Sequence, residues 1–284
     1  MKIALAQISP HLGNVEKNFD IHLELIAKAR KKKADLVIFP ELSLTGYALK
    51  DLVPEVAMTP SESPFFAELK SLSRDISLVF GFVEEKREEK GLFYNSAAFL
   101  SKGRILHVHR KVFLPTFGMF EEGKFFAAGK NFKTFETPHG QTGLMICRDF
   151  LHYGAAYLLF AGGSEIIIII SAAPGRGVSG AKGFNTSRMW ELMGEAISLF
   201  SSAFVVYCNR VGIEDGMTFA GGSFIFGPSG KLLGKASYVD KDFFIQVLDM
   251  DIVREYRKKL EFKRDDKPEI ILHSLQRIVK SYED

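Results

Sequence analysis

Two rhythms of apolar residues alternate along this chain. At 3–8 and 36–39 the apolar positions are nearly continuous, the pattern of buried strands. Between them Phe19, Leu23, Ile26, Ala27 and Arg30 mark one face of a helix over about 15–33. Another apolar strand is expected at 76–83. Residues 95–100 and 105–109 predict a hairpin around Ser101-Lys102-Gly103-Arg104, and 132–136 pairs with 142–146 across Pro138-His139-Gly140. In the second half a helix over 151–161 stops at Gly162-Gly163, and five consecutive isoleucines at 166–170 call for a sheet covered on both faces. A long helix over about 187–201 leads into a strand at 204–208. A hairpin of 223–226 with 232–235 then turns at Pro228-Ser229-Gly230, and a strand at 244–248 precedes a helix near 251–259.

This alternation argues for an α/β layered domain, and the hairpins argue against a purely parallel barrel. Two mixed sheets packed face to face, with helices outside, satisfy both. From about 262 the stretch FKRDDKPEIILHSLQRIV is charged, carries a Pro and then spaced apolar residues. It reads as an arm that packs on the body or on a second subunit.

A length of 284 residues, 46% of them hydrophobic and 26 of them Phe, favours one large core over residues 1–284. With 37 basic against 34 acidic residues the formal charge is only +3, too balanced for a nucleic-acid surface. The one basic run, Arg30 to Lys33, falls where a helix ends and cations suit its dipole. Two cysteines, Cys147 and Cys208, cannot make a disulfide framework or a structural zinc site. The opening MKIALAQISP is too short and too interrupted for a signal peptide, and no apolar stretch approaches the ~20 residues of a membrane span. The expectation is a cytoplasmic protein with no membrane partner.

Three polar residues then attract attention. Glu41 follows LVIFP, Lys111 follows ILHVHR and Cys147 follows TGLMI. Each lies where a strand delivers a side chain to an edge, the place where open α/β sheets put ligands. Cys147 stands ahead of the helix expected near Leu151, and a helix N-terminus lowers a thiol pKa. A thiolate there is a nucleophile, Glu41 a candidate base, and the Lys111 ammonium a candidate stabiliser of developing negative charge. Taken singly each has a plainer explanation: a small core residue, a cap, a solvated cation. A cysteine hydrolase using His152 or His139 as base is the competing chemistry. A non-catalytic interaction protein on the same scaffold is the competing class.

FPELSLTGY (39–47), HRKVFLPTFGMFEEGKFFAAG (109–129) and GLMICRDF (143–150), in that order, resemble the three signature blocks of the nitrilase, or carbon–nitrogen hydrolase, superfamily. Similarity continues in SRMWELMGEAISLFSSAFVVYCNRVG (187–212), FAGGSFIFGPSGKLLGKA (219–236) and the opening KIALAQISP, so it covers essentially the whole chain. The resemblance implies an α/β fold of four layers, an αββα sandwich of two mixed β-sheets with outer helices. It implies amide hydrolysis with Glu41 as general base, Lys111 stabilising the tetrahedral intermediate and Cys147 as nucleophile. Glu122 matches the family's second glutamate, which orients the lysine and substrate, and the Arg148 backbone N–H would help hold the oxyanion. Phe117, Trp190 and the loop around Pro174 are pocket walls on the same grounds. A small-molecule amide substrate, no metal or organic cofactor, and a homodimer or higher homo-oligomer are also implied, the last through the helices after Cys147 and near 187–201 with help from the arm.

The chain departs from the family at Arg148, where an aromatic residue often follows the cysteine. An Arg there either pairs with Asp149, the plainer reading, or recognises an anionic substrate. PELSLTGY and ISAAP resemble the glutamine-hydrolysing portion of glutamine-dependent NAD synthetases, but the sequence shows no SGGxDS-type loop of an ATP-using domain. A freestanding amidase is therefore expected ahead of a glutaminase acting beside a separate synthetase.

Other motifs carry less. Gly175, Gly177 and Gly180 spell GxGxxG, yet Pro174 interrupts the entry and no apolar helix opens at Gly180, so a loop near the mouth of the site is expected instead of a dinucleotide site. Cys208 reads as a buried thiol. His107 and His109 read as two positions on one strand face, and no histidine has a metal-binding partner at a spacing such as HExxH.

Overall fold

The computed structural model describes residues 1–177 and 184–282. Its strands, in chain order, are β1 (Lys2–Gln7), β2 (Leu36–Ile38), β3 (Ser77–Glu85), β4 (Phe93–Ser101), β5 (Arg104–Arg110), β6 (Thr134–Thr137), β7 (Gly140–Ile146), β8 (Ile166–Ser171), β9 (Phe204–Asn209), β10 (Val211–Glu214), β11 (Met217–Ala220), β12 (Phe224–Phe226), β13 (Leu232–Lys235) and β14 (Asp242–Val247). The helices are α1 (Val15–Lys31), α2 (Val53–Val56), α3 (Pro64–Leu72), α4 (Glu122–Phe125), α5 (Tyr153–Ala161), α6 (Asn185–Ser201), α7 (Asp251–Leu260), α8 (Phe262–Asp265) and α9 (Pro268–Lys280).

One six-stranded sheet runs β14-β1-β2-β3-β4-β5 and the other β13-β12-β9-β8-β7-β6, while β10 and β11 form a separate hairpin. In the first sheet β2 is parallel to β1 and to β3, and the sheet's other pairings are antiparallel. In the second, β8 is parallel to β7 and to β9, again with antiparallel flanks. Both sheets are mixed, and the helices lie outside them.

Strand alternation explains the layering. Ile3, Leu5, Leu36, Ile38 and Val79 share a core with the second sheet, whereas Ala4, Val37, Phe39, Leu78 and Phe80 pack with Phe19 and Ile26 of α1 and Phe66 of α3. The isoleucine strand β8 is buried along its whole length, since the first sheet covers one face and residues of α5 and α6, such as Leu159 and Trp190, join the same core. Each such side chain contributes about 1.5–3 kcal/mol by leaving water.

Two expectations shift, at α1 and at the start of α5. The buried side of α1 is Val15, Asn18, Phe19, His22, Ile26 and Ala29, while Ala27 and Arg30 are exposed. Two polar residues take core positions that an apolar count passes over: Asn18 donates to His11 O and Leu44 O, and His22 bridges Asn18 O and Ser43 Oγ. Between β7 and α5 stands a 3₁₀ turn, Cys147–Leu151, so α5 opens at Tyr153. Beyond 262 the arm is helical, with no buried residue in α9. No helix among the described residues is long and apolar enough to cross a membrane.

Candidate active site

Glu41 sits just after β2 on a loop drawn tightly against β3. Phe39 N donates to Val79 O at 2.8 Å, Leu44 N to Gly81 O at 3.1 Å, and Gly81 N to Ser43 Oγ at 3.2 Å. The approach is so close that a Cβ on Gly81 would stand 2.2 Å from Leu42 N and 2.9 Å from Glu41 Cα. The carboxylate is fully buried, and each of its oxygens accepts a hydrogen bond. Its Oε1 accepts from Asn95 Nδ2 and Lys111 Nζ, both at 2.7 Å, and its Oε2 accepts from Ala172 N at 2.7 Å.

Lys111, also fully buried, leaves β5 with its backbone fixed by Asn95 O at 2.9 Å and Gly129 N at 2.7 Å. Its ammonium donates to Glu41 and, at 2.6 Å, to Glu122 Oε1, which also accepts from Tyr47 OH at 2.6 Å. Burial alone would lower the Lys111 pKa, but the carboxylates of Glu122 and Glu41 outweigh it and hold the value above that of a free lysine. The Glu122 carboxyl is pushed up to about 7, by burial first and by the charge of Glu41, against the pull of Lys111. Its Oε2 is buried with no hydrogen-bond partner among the described residues.

Cys147 begins the 3₁₀ turn with φ of 44°, in the left-handed region, a conformation costing a non-glycine residue about 1–3 kcal/mol. Asp149 holds the turn. Its carboxylate accepts from Ile146 N at 3.2 Å and His109 Nε2 at 2.8 Å, and from Val112 N and Phe113 N at 3.1 and 3.0 Å. One buried carboxylate thus ties the cysteine turn to the segment that follows Lys111.

The helix-terminus argument for an acidic thiol is overturned. The Cys147 thiol is pushed up to about 12, by burial and then by the Glu41 carboxylate, while the Lys111 ammonium and the Ser171 hydroxyl pull the other way. The Arg148–Asp149 ion pair is also absent. Asp149 spends its oxygens on the four donors above, and the Arg148 guanidinium lies over the Phe117 ring, 5.1 Å from its centroid. Side chains adjacent on a tight turn leave it in different directions. The Arg148 backbone N–H has no acceptor among the described residues.

Cys147, Phe117, Arg148, Pro174 and Trp190 line one cavity of ≈ 130 Å³, joined by Phe120 and Arg176. Glu41, Lys111 and Glu122 form a contiguous hydrogen-bonded group, and their charges act on the Cys147 thiol. His139 does not join them. Its Nε2 meets Ser77 Oγ at 2.9 Å, at the far end of β7 from Cys147. His152 stacks on Phe113 with ring centroids 3.5 Å apart. Sequence reasoning missed Asn95, Tyr47, Ser171 and Arg176. The one signal for Asn95 was a lone amide inside a largely apolar strand, which needs a buried partner.

Gly175 and Gly177 lie beside the cavity residue Arg176, whereas Gly180 lies outside the described residues. Cys208 is buried, its Sγ 3.4 Å from Ile38 O. Among the described residues no group of three or more His, Cys, Asp or Glu could hold a metal ion.

The profile of the carbon–nitrogen hydrolase family matches residues 2–258. The chain is 33% identical over 257 residues to a glutamine-dependent NAD(+) synthetase of Acinetobacter baylyi, covering 90% of this chain and 46% of that protein. The chain spans about half the length of the first curated relatives it matches. A crystal structure of a carbon–nitrogen hydrolase from Helicobacter pylori superimposes with a TM-score of 0.79 at 25% identity, covering 95% of this chain and 96% of that one. The fold is shared with an amidase of Nesterenkonia sp. AN1, solved as a mutant with acrylamide added at its active-site cysteine. There the TM-score is 0.75 at 23% identity, over 92% of this chain and 98% of that one.

Proposed function

The chain belongs to the carbon–nitrogen hydrolase family, and on that premise we propose that it hydrolyses the amide bond of a small molecule through a thioester on Cys147. The observation that carries the reading is the buried Lys111 ammonium, held between Glu41 and Glu122 beside a cysteine that opens on a cavity.

A thiol held near 12 is neutral at rest, so attack requires a base. Glu41 takes the thiol proton as Sγ bonds to the amide carbon and the carbonyl π pair moves to oxygen. The Lys111 ammonium and the Arg148 N–H stabilise that oxyanion. Collapse breaks the C–N bond, and the leaving nitrogen takes the proton from Glu41. Water then gives a proton to Glu41 and its oxygen attacks the thioester. The C–S bond breaks, and the sulfur recovers its proton. Glu122 and Tyr47 hold the ammonium in place, and no step draws on a metal or organic cofactor.

The test is ammonia release from a panel of small amides, with intact-mass measurement during turnover. A thioester adduct on the parent protein and none on Cys147→Ala is expected; undiminished turnover by Cys147→Ala refutes the mechanism. A second reading, glutamine hydrolysis supplying ammonia to a synthetase, is favoured by the 33% identity to the Acinetobacter protein, and glutamine in the panel tests it. We also propose a homodimer through α5, α6 and the arm. Tyr153, Leu158, Leu192 and Phe200 expose apolar surface there, as do Leu272, Leu275 and Val279. A monomer in light scattering at working concentration rejects it.

A further inference from the structure

The cavity at Cys147 has an unusual charge balance. Most of its wall is apolar, and its charged lining residues are both cations, Arg148 and Arg176. No acidic residue lines it among the described residues. The carboxylates nearest along the chain or behind the thiol are committed elsewhere. Asp149 accepts four hydrogen bonds, and Glu41 and Glu122 hold Lys111. Neither Arg148 nor Arg176 has a carboxylate within 4.0 Å among the described residues, whereas Arg110 and Arg210, the other arginines set against an aromatic ring, are each paired with a glutamate.

Both guanidiniums are nevertheless oriented. Arg148 lies over the Phe117 ring and Arg176 over the Phe120 ring, 5.1 and 5.3 Å from the centroids, and the two rings meet edge to face at 5.6 Å. A guanidinium resting over a ring face still has its N–H donors available to an anion. Two like charges at the mouth of one small apolar cavity, with no carboxylate among its described lining residues, favour an anionic group on the ligand.

Resting on the amidase reading above, we propose that the substrate is the monoamide of a short dicarboxylic acid. Its amide carbon meets Cys147 and its far carboxylate is held by Arg148 and Arg176. At ≈ 130 Å³ the cavity is small, which favours a short acyl chain between the amide and the carboxylate. The same lining offers nothing acidic to an α-ammonium group. Glutaramate, which lacks that group, is therefore a better substrate than glutamine, and valeramide, which replaces the carboxylate by a methyl group, is a poor one.

Steady-state ammonia release from succinamate, glutaramate, glutamine and valeramide by the full chain tests this. Removing one charge-assisted hydrogen bond to the substrate is expected to lower kcat/KM by about 10- to 100-fold. Glutaramate or succinamate should exceed valeramide by at least that factor, and should exceed glutamine. Arg148→Met and Arg176→Met should each collapse the glutaramate-to-valeramide ratio by about tenfold or more. Arg176 is exposed, so its variant serves if Arg148→Met fails to fold. Preference for valeramide or glutamine, or ratios unchanged in both variants, overturns the proposal. If no amide is turned over, calorimetric titration of glutaramate into Cys147→Ala still decides it. Binding that is abolished in Cys147→Ala carrying Arg176→Met upholds the anion site while the hydrolase reading falls, and no binding removes the site.

Discussion

Gly81→Ala is the sharpest probe of how the fold sets the position of Glu41. The residue lies in the middle of β3 paired with Ala97, and its φ is not in the left-handed region, so alanine meets no backbone penalty there. The obstacle is space. The new Cβ would lie 2.2 Å from Leu42 N, 2.8 Å from Glu41 C and 2.9 Å from Glu41 Cα, where ordinary contact begins at 3.4 Å. Those atoms are backbone, so no rotamer change relieves the overlap, and β3 is locked between β2 and β4. The Glu41 loop must therefore withdraw by about 1 Å, a displacement that can cost an active site about 100-fold in rate. Overpacking of this kind destabilises by about 1–3 kcal/mol, at about 2–4 °C of melting temperature for each kcal/mol in a chain of this size. The assay is kcat and KM on any amide the parent turns over, alongside scanning calorimetry. Gly154→Ala is the control, because its Cβ meets nothing within 4 Å and it lies near the start of α5, where alanine is worth about 0.5–1 kcal/mol over glycine. A Gly81→Ala protein with kcat within about twofold of the parent refutes the idea that this close approach positions Glu41, since the expected loss is far larger.

Three further outcomes follow from the same geometry. Because the Cys147 thiol is pushed up to about 12 and only the thiolate reacts, its modification by methyl methanethiosulfonate should accelerate about tenfold per pH unit from pH 7 to 10. A plateau below pH 9, with Cys147→Ala as background, contradicts the burial argument. Asp149→Asn leaves one acceptor oxygen for four donors, so kcat should fall about 10- to 100-fold through misplacement of Cys147 and Lys111 with KM little changed; an unaltered kcat rules out a positioning role. Arg210 is buried against Glu214 at 2.7 Å and over the Phe219 ring, and Glu214 also accepts from Tyr47 N and Ala48 N. Arg210→Ala should therefore cost about 3–5 kcal/mol in urea unfolding, and a loss under about 1 kcal/mol would mean that water reaches the orphaned carboxylate.

The parts of the fold legible in the sequence were those where one physical effect dominated. The isoleucine run of β8 and the continuous apolar run of β2 could only be buried strands, and Gly103 with Lys102 marked the β4–β5 turn. The β10–β11 hairpin escaped because its strands are only four residues each, too short for Gly212, Glu214 and Thr218 among the apolar positions to set up a readable alternation. Helix α3 was passed over although Ser63 caps it, accepting from Phe66 N, and Pro64 opens it. At the site, residue types and strand ends were visible, but the protonation chemistry was not. A helix terminus pulls a thiol pKa down by a local effect, whereas burial and a neighbouring carboxylate push it up through an approach between Glu41 and Cys147, 106 residues apart in sequence.

That separation points to what the two sheets accomplish together. Crossing the first sheet from β14 gives one antiparallel pairing, two parallel and two antiparallel; crossing the second from β6 gives the same series. β2 and β3 run in one direction, and the two antiparallel steps through β4 return β5 to it, so Glu41 and Lys111 leave the first sheet at the same edge. Cys147 and Ala172 leave the second sheet after its parallel strands β7 and β8. The two edges meet at the Glu41 carboxylate, whose Oε1 binds Asn95 and Lys111 of the first sheet and whose Oε2 accepts from Ala172 N of the second. The first sheet pairs the charge and the second satisfies the other oxygen, and a buried acceptor left without a donor would cost about 1–3 kcal/mol. The face-to-face register of the two sheets and the hydrogen bonding of the residue proposed as base are therefore one requirement, met at one side chain.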